Sequence, residues 1–151
     1  MIDALHVCPR AVHPGDIRAL AAAEVECFED PWPESYFTSE LFAPARFQRV
    51  LVDSNGKLVA YLFTAWQYLE LHILKVAALR SVRRLGLGTK LMIIAEEHAK
   101  QMAGEKLTLE VRLTNTSAIK LYETLGYQKT GIHSGYYTDG SNALVMTKPV
   151  P

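Results

Sequence analysis

Arg83-Arg84-Leu85-Gly86-Leu87-Gly88 is the stretch on which the fold turns. It follows an apolar run of strand length, Glu70 to Leu79. It precedes Thr89 to Met102, where Leu91, Ile94, Ala95 and His98 recur at the spacing of one helical face. The order is strand, glycine-bearing loop, helix. A helix entered this way presents unpaired backbone N–H groups, and glycines let phosphate oxygens approach them. Arg83 and Arg84 add positive charge. Gly-Lys-Ser/Thr is absent, which excludes a P-loop, and Leu91 occupies the third glycine position of a dinucleotide loop. The stretch is therefore either an anion cradle or a basic, solvated turn capped by glycines.

Upstream, a short strand is expected within Leu5 to Val12. Pro14-Gly15-Asp16 punctuates the chain before a helix from Ile17 to Phe28, marked by Ile17, Leu20, Ala21, Val25 and Phe28. Pro31 and Pro33 around Trp32 end that helix, and Pro33 opens another running to about Phe42. Phe47 to Asp53 and Leu58 to Trp66 flank Ser54-Asn55-Gly56-Lys57, whose Asn-Gly step predicts an antiparallel hairpin. Downstream come a buried strand, Lys106 to Val111, and a short helix, Thr116 to Leu125, closed by Gly126. Tyr127 to Ser134 and Ala143 to Lys148 then form a final strand pair. Strands and helices in this mixed order predict an α/β or α+β domain, a mixed sheet covered by helices.

Of the 151 residues, 49% are hydrophobic and 21% charged, which excludes a disordered chain and fits one globular domain spanning 1–151. Sixteen Lys+Arg balance sixteen Asp+Glu, so a general polyanion or nucleic-acid binder is not expected. Cys8 and Cys27 have no partnering spacing, and His6, His13, His72, His98 and His133 have none either, so no zinc site, disulfide framework or other metal is expected. Cys27, on an apolar helix face, reads as a small core residue. No basic segment leads into an apolar core at the N-terminus and no apolar run reaches a membrane span of roughly 18 residues. The expectation is a soluble, cytoplasmic protein with no membrane partner.

Val76-Ala77-Ala78, then Arg83 to Gly88, Leu109-Glu110-Val111-Arg112, Asn115 and Ala118-Ile119-Lys120-Leu121-Tyr122-Glu123-Thr124-Leu125-Gly126-Tyr127 together resemble the GNAT superfamily of acetyl-CoA-dependent N-acetyltransferases. Within it, Glu-Val-Arg, the Asn, Pro31-Trp32 and Tyr136-Tyr137 are most similar to the bacterial ribosomal-protein alanine N-acetyltransferases. The resemblance implies a mostly antiparallel sheet with one splayed parallel strand pair. It also implies acetyl-CoA as cosubstrate. Val76, Ala77 and Ala78 would lie along the pantetheine, and Arg83, Arg84, Leu85, Gly86, Leu87, Gly88, Thr89 and Asn115 would complete the cofactor site. The implied acceptor is a protein N-terminus, such as the alanine of a small-subunit ribosomal protein, with Trp32, Tyr136 and Tyr137 near its first residues. Three departures stand out: Ala78-Leu79-Arg80 replaces the family's Val-Asp-Pro after the pantetheine strand, His133-Ser134-Gly135 replaces a basic residue before the tyrosine pair, and the link after Tyr137 is short. Those near the tyrosine pair bear on the acceptor.

Acetyl transfer needs a neutral amine, and an α-amino group with a pKa of about 7.7–8.0 is mostly protonated at neutral pH. Glu110, in the apolar strand segment Leu107 to Val111, is a candidate general base or else an exposed strand carboxylate. Tyr122 is a candidate general acid for the departing thiolate, or a packing residue of a Leu-Tyr-x-x-Leu helix face. Trp32, Tyr136 and Tyr137 either line an acceptor cleft or plug a sheet edge, and Glu70 either holds a cationic acceptor or is solvated. Two other functions use the same residues. One is transfer to a lysine or small-molecule amine. The other is an acyl-CoA-binding module without turnover, which would keep Arg83 to Gly88 but not depend on Glu110.

Overall fold

A bulge in the fourth strand sits where the sheet opens. In the computed structural model, which describes residues 6–151, seven strands form one sheet in the order β1-β2-β3-β4-β5-β7-β6. They are β1 (Cys8–Ala11), β2 (Arg46–Val52), β3 (Leu58–Gln67), β4 (Glu70–Ala78), β5 (Lys106–Arg112), β6 (Gln128–His133) and β7 (Ala143–Pro149). Four helices accompany them: α1 (Ile17–Cys27), α2 (Glu34–Phe42), α3 (Leu87–Gln101) and α4 (Thr116–Thr124). Every pairing is antiparallel except β4 with β5, which pair in parallel only from Glu70–Lys106 to Ile73–Leu109. Beyond that point the two strands separate. The β3–β4 register shifts at the same place, so that Phe63 faces Lys75, Thr64 faces Ile73, and Leu74 is the extra residue. A bulge of this kind bends its strand and re-aims its side chains.

On β2, Phe47 stacks on His98 of α3 with ring centroids 3.8 Å apart, while the neighbouring Gln48 donates to the Glu40 carbonyl of α2 at 2.7 Å. Adjacent strand residues face opposite ways, so α2 and α3 cover opposite faces. Leu91, Ala95 and Ala99 of α3 and Phe37 of α2 are fully buried, as are Tyr61, Leu62 and Phe63 of the central β3. A strand covered on both faces reads as a continuous apolar run rather than an alternating one, which is the pattern of β3.

The predicted elements recur with shifted ends. The first strand narrows to Cys8–Ala11, and Leu5 lies outside the described residues. The hairpin is not the two-residue turn that Asn-Gly favours. Asp53 closes it, its N–H donating to the Lys57 carbonyl at 2.9 Å and its carboxylate accepting from the N–H of Asn55 and Lys57. Only Gly56 takes positive φ, at 80°, and the register slips between Leu51 and Val52. The aspartate side chain outcompetes the tighter turn. Among the described residues no helix is long and apolar enough to cross a membrane.

Candidate active site

The glycine-bearing loop enters its helix two residues earlier than periodicity suggests. Gly86 is the N-cap of α3 at φ 80°, a left-handed conformation that an L side chain rarely adopts, and Leu87 is buried and pins the first turn. The N–H groups of Leu87, Gly88 and Thr89 are therefore among those a helix N-terminus leaves unpaired. A Cβ on Gly88 would find only the Leu121 Cδ2 of α4, at 4.0 Å, so its surface is open. Arg83 and Arg84 are exposed beside it. Val76, Ala77 and Ala78 keep their pairing to β3 but have left β5, which gives β4 an unpaired backbone edge at the mouth of this loop. The Ala78 carbonyl is partly engaged, accepting from the Cys27 thiol at 3.4 Å and from Arg83 Nε at 3.3 Å. Burial pushes the Cys27 thiol up, as befits a packing residue rather than a nucleophile. Open N–H groups, nearby guanidinium charge and a free strand edge fit a pyrophosphate with an extended pantetheine arm.

On the other side of the gap, Leu107, Leu109 and Val111 point into the core while Glu110 points the other way. His72 pairs opposite Ala65 on β3 and Lys75 opposite Phe63, positions that share one face of that strand. Three residues apart, they would ordinarily face oppositely. The extra Leu74 puts both toward α1 and α2. Glu110 is hydrogen-bonded through Oε2 to His72 Nε2, and its Oε1 lies 3.8 Å from His133 Nδ1 of β6. Sequence spacing marks none of the histidines as a site residue, yet two converge on this carboxylate.

The β6–β7 loop supplies the aromatic wall. The Tyr136 and Tyr137 rings stand perpendicular, 5.0 Å apart, with Tyr136 4.8 Å from the His133 ring. Burial, followed by the charge of Glu110, pushes the Tyr136 phenol up to about 12. Arg112 pins the loop. Its guanidinium lies over the Tyr137 ring at 3.9 Å and donates to Ser141 Oγ at 2.7 Å and Asp139 Oδ2 at 3.1 Å. Trp32 forms the opposite wall, 4.4 Å from Tyr36 and 5.3 Å from Phe37 by ring centroids. Its backbone N–H donates at 2.9 Å to Glu24, a fully buried carboxylate that also accepts from Tyr61 Oη at 2.7 Å and pairs with Lys75 Nζ at 3.1 Å.

Tyr122 of α4 is partly buried and packs 6.0 Å from Tyr127; burial, with a smaller contribution from Tyr137, pushes its phenol up to about 12. Asn115 is the N-cap of α4, its side-chain oxygen accepting from the Ala118 N–H at 3.3 Å. Glu70 stands apart. It lies at the closed end of the parallel pair, 3.6 Å from Lys106 Nζ, and is half exposed. Among the described residues no group of three His, Cys, Asp or Glu side chains is placed to hold a metal ion.

A mixed sheet opened at one parallel strand pair, with a helix N-terminus at the opening, is the scaffold of an acyltransferase that takes its acyl group from a CoA thioester. The chain belongs to the acetyltransferase (GNAT) family, whose sequence profile matches residues 17–127. It is 33% identical over 148 residues to the N-terminal acetyltransferase A complex catalytic subunit NAA10 of Arabidopsis thaliana, covering 94% of this chain and 77% of that one. It is 31% identical over 138 residues to the [ribosomal protein bS18]-alanine N-acetyltransferase of Escherichia coli, covering 89% of this chain and 92% of that enzyme. The crystal structure of the ribosomal-protein-S18-alanine N-acetyltransferase from Escherichia coli superposes with a TM-score of 0.86 at 29% identity, covering 95% of this chain and 94% of that one. The chain is thus an N-acetyltransferase, and acetyl-CoA is the donor its family uses.

Proposed function

We propose that residues 1–151 form a single domain that moves the acetyl group of acetyl-CoA to the α-amine of a protein N-terminus. The N-terminal alanine of a small-subunit ribosomal protein is the acceptor of first choice. The observation that carries this reading is the placement of Glu110. It is the one carboxylate on β5, set where β4 and β5 part, on the face walled by Trp32 and the Tyr136–Tyr137 pair. Similarity along most of the chain to two enzymes that acetylate protein N-termini supports the choice of acceptor.

In this mechanism the N–H groups of Leu87, Gly88 and Thr89, with Arg83 and Arg84, hold the pyrophosphate. Val76 to Ala78 align the pantetheine along their free edge, bringing the acetyl thioester to the gap. Asn115 shapes that gap by capping α4. Glu110 takes a proton from the acceptor's ammonium group, leaving a lone pair to attack the acetyl carbonyl. Tyr122 gives its phenolic proton to the sulfur as the carbon–sulfur bond breaks, and the nitrogen's second proton, shed as the amide forms, returns to the Tyr122 phenolate. Trp32, Tyr136 and Tyr137 hold the acceptor's first residues, and transfer is direct, with no acyl-enzyme. Glu70, at the closed end of the strand pair, takes no part.

The test is mass spectrometry of a peptide carrying both a free N-terminal alanine and an internal lysine, incubated with the protein and acetyl-CoA. Acetylation at the α-amine is the expected product. Acetyl-lysine without α-acetylation would move the assignment to a lysine or small-amine acetyltransferase. Binding of acetyl-CoA with no product on any amine would leave a non-catalytic acyl-CoA module.

A further inference from the structure

The environment of Glu110 contains more than the proposed reaction uses. Three side chains from three strands converge there: His72 from β4, Glu110 from β5 and His133 from β6. Their side-chain exposures are 22%, 10% and 54%, so the carboxylate is the most buried of the three and His133 the one most open to solvent. His72 engages one carboxylate oxygen, Oε2, and leaves Oε1 to face His133 across 3.8 Å. Other polar groups nearby are Tyr136 and Tyr137 of the β6–β7 loop and Arg112 on Glu110's own strand, whose guanidinium is turned onto Tyr137, Asp139 and Ser141. None of these offers the carboxylate a way to pass a proton outward as directly as His133.

We propose that Glu110 works within a histidine–glutamate–histidine relay, in which His72 is a positioning residue and His133 carries the abstracted proton to solvent. The inference rests on Glu110 being the base. Nε2–H of His72 donates to Oε2 and fixes the carboxylate plane, so that Oε1 meets the incoming ammonium group. An N–H bond of the acceptor breaks and an O–H bond forms at Oε1. That O–H bond then breaks as Nδ1 of His133 takes the proton, through one bridging water or a small turn of the exposed ring. The resulting imidazolium releases its Nε2 proton to water, and exchange with solvent restores the starting tautomer. One proton leaves per acetyl transferred, and Glu110 returns to its carboxylate form without reopening the acceptor cleft. The bulge at Leu74 allows His72 and Lys75 to share this face, so the device is built into the strand.

The experiment measures kcat and KM for whichever amine the wild-type chain acetylates fastest, in weak buffer, for Glu110→Gln, His72→Leu, His72→Gln and His133→Ala, with acetyl-CoA binding as the check of folding. Misplacing a reacting group by an ångström costs up to about 100-fold. His72→Leu should therefore lose roughly 10- to 100-fold in kcat with acetyl-CoA affinity unchanged, and His72→Gln, which keeps an N–H donor, should recover most of it. His133→Ala should lose kcat in weak buffer and regain it on addition of imidazole, a rescue that a structural role would not show. Wild-type kcat in His72→Leu, equal loss in both His72 variants, or a His133→Ala rate indifferent to imidazole would each overturn the relay. Glu110→Gln keeps the outcomes apart. If it turns over like wild type, the assignment of the base fails; if it alone is impaired, only the relay fails.

Discussion

Thr138 Oγ1 donates a hydrogen bond to Asp30 Oδ2 at 2.5 Å, joining the β6–β7 loop to the loop between α1 and α2. The two residues flank the aromatic walls, Asp30 two residues before Trp32 and Thr138 directly after Tyr137. The bond therefore sets how far apart those walls stand. Hydrogen bonds to charged groups contribute about 1.5–3 kcal/mol when well sheltered, less at an exposed site such as this. Asp30→Ala and Thr138→Val should each raise the acceptor KM roughly three- to tenfold, leave acetyl-CoA affinity unchanged, and combine without adding, as partners in one contact do. Steady-state kinetics on the two single variants and the double variant will show this. Additive effects, or a shift confined to acetyl-CoA, would mean that the contact does not shape the cleft.

Gly88 offers a cleaner test of the phosphate cradle than the arginines do. Its Cβ position is open, with Leu121 Cδ2 at 4.0 Å as the nearest atom, and its φ is not in the left-handed region. Gly88→Val should therefore fold with nearly wild-type thermal stability while the added methyl groups occupy the space of the pyrophosphate. Calorimetry should record a large loss of acetyl-CoA affinity, and an unchanged affinity would displace the donor from this loop. Gly86→Val makes the contrast. There φ is 80°, so strain of about 1 kcal/mol or more accompanies any loss of binding.

Tyr122 and Glu110 differ in how pH should reveal them. Burial, then Tyr137, raises the Tyr122 phenol from its ordinary value of 10.0 to about 12, so the acid form persists through the whole working range. A folded pKa above the unfolded one means stability that is intact below about 10 and is lost as pH climbs toward about 12. Tyr122→Phe should slow turnover at every pH, with no alkaline recovery. Glu110→Gln should lose about 10²–10⁴-fold near neutrality and recover in part as pH passes the amine's own pKa of about 7.7–8.0, where the nucleophile loses its proton unaided. Rate–pH profiles of both variants decide the matter; wild-type profiles in both would leave catalysis to positioning.

What could be read in the sequence follows the range of the forces involved. The turn at Gly86, the helix stop at Gly126 and the periodic face of α3 are local, and each follows from backbone freedom or a 3.6-residue repeat. The placement of Glu110 on a strand and of Tyr122 on a short helix is local in the same way. His72 was not: nothing in the spacing of Glu70 to Leu79 announces the bulge at Leu74, and the parallel register that brings His72 beside Glu110 is a tertiary fact. Asp30 with Thr138, and Glu24 with Lys75, are pairs far apart in the chain that only the closed sheet unites. Glu70 shows the converse, since it opens the strand that carries Val76 to Ala78 yet lies at the closed end of the strand pair.

Glu24 carries the last prediction because it links the core to the backbone of Trp32. Its fully buried carboxylate holds three donors: Lys75 Nζ at 3.1 Å, Tyr61 Oη at 2.7 Å and the Trp32 N–H at 2.9 Å. Removing one member of a buried pair strands the other, at a cost of about 3–5 kcal/mol. Glu24→Ala should destabilise by about that much in urea unfolding. Glu24→Gln should cost less, because an amide oxygen still accepts from Tyr61 or Trp32. Burial already holds the Lys75 ammonium below its ordinary value against the pull of Glu24, and without that charge it should fall further. A lysine whose folded pKa lies below its unfolded one adds stability as pH rises through the folded value, since the unfolded chain then binds the extra proton. The deficit of Glu24→Gln should therefore shrink as pH rises toward the ordinary lysine value of 10.5, whereas in Glu24→Gln/Lys75→Met, with no buried amine to titrate, it should not change. A deficit independent of pH in the single variant would place the cost in the lost hydrogen bonds rather than in the stranded charge.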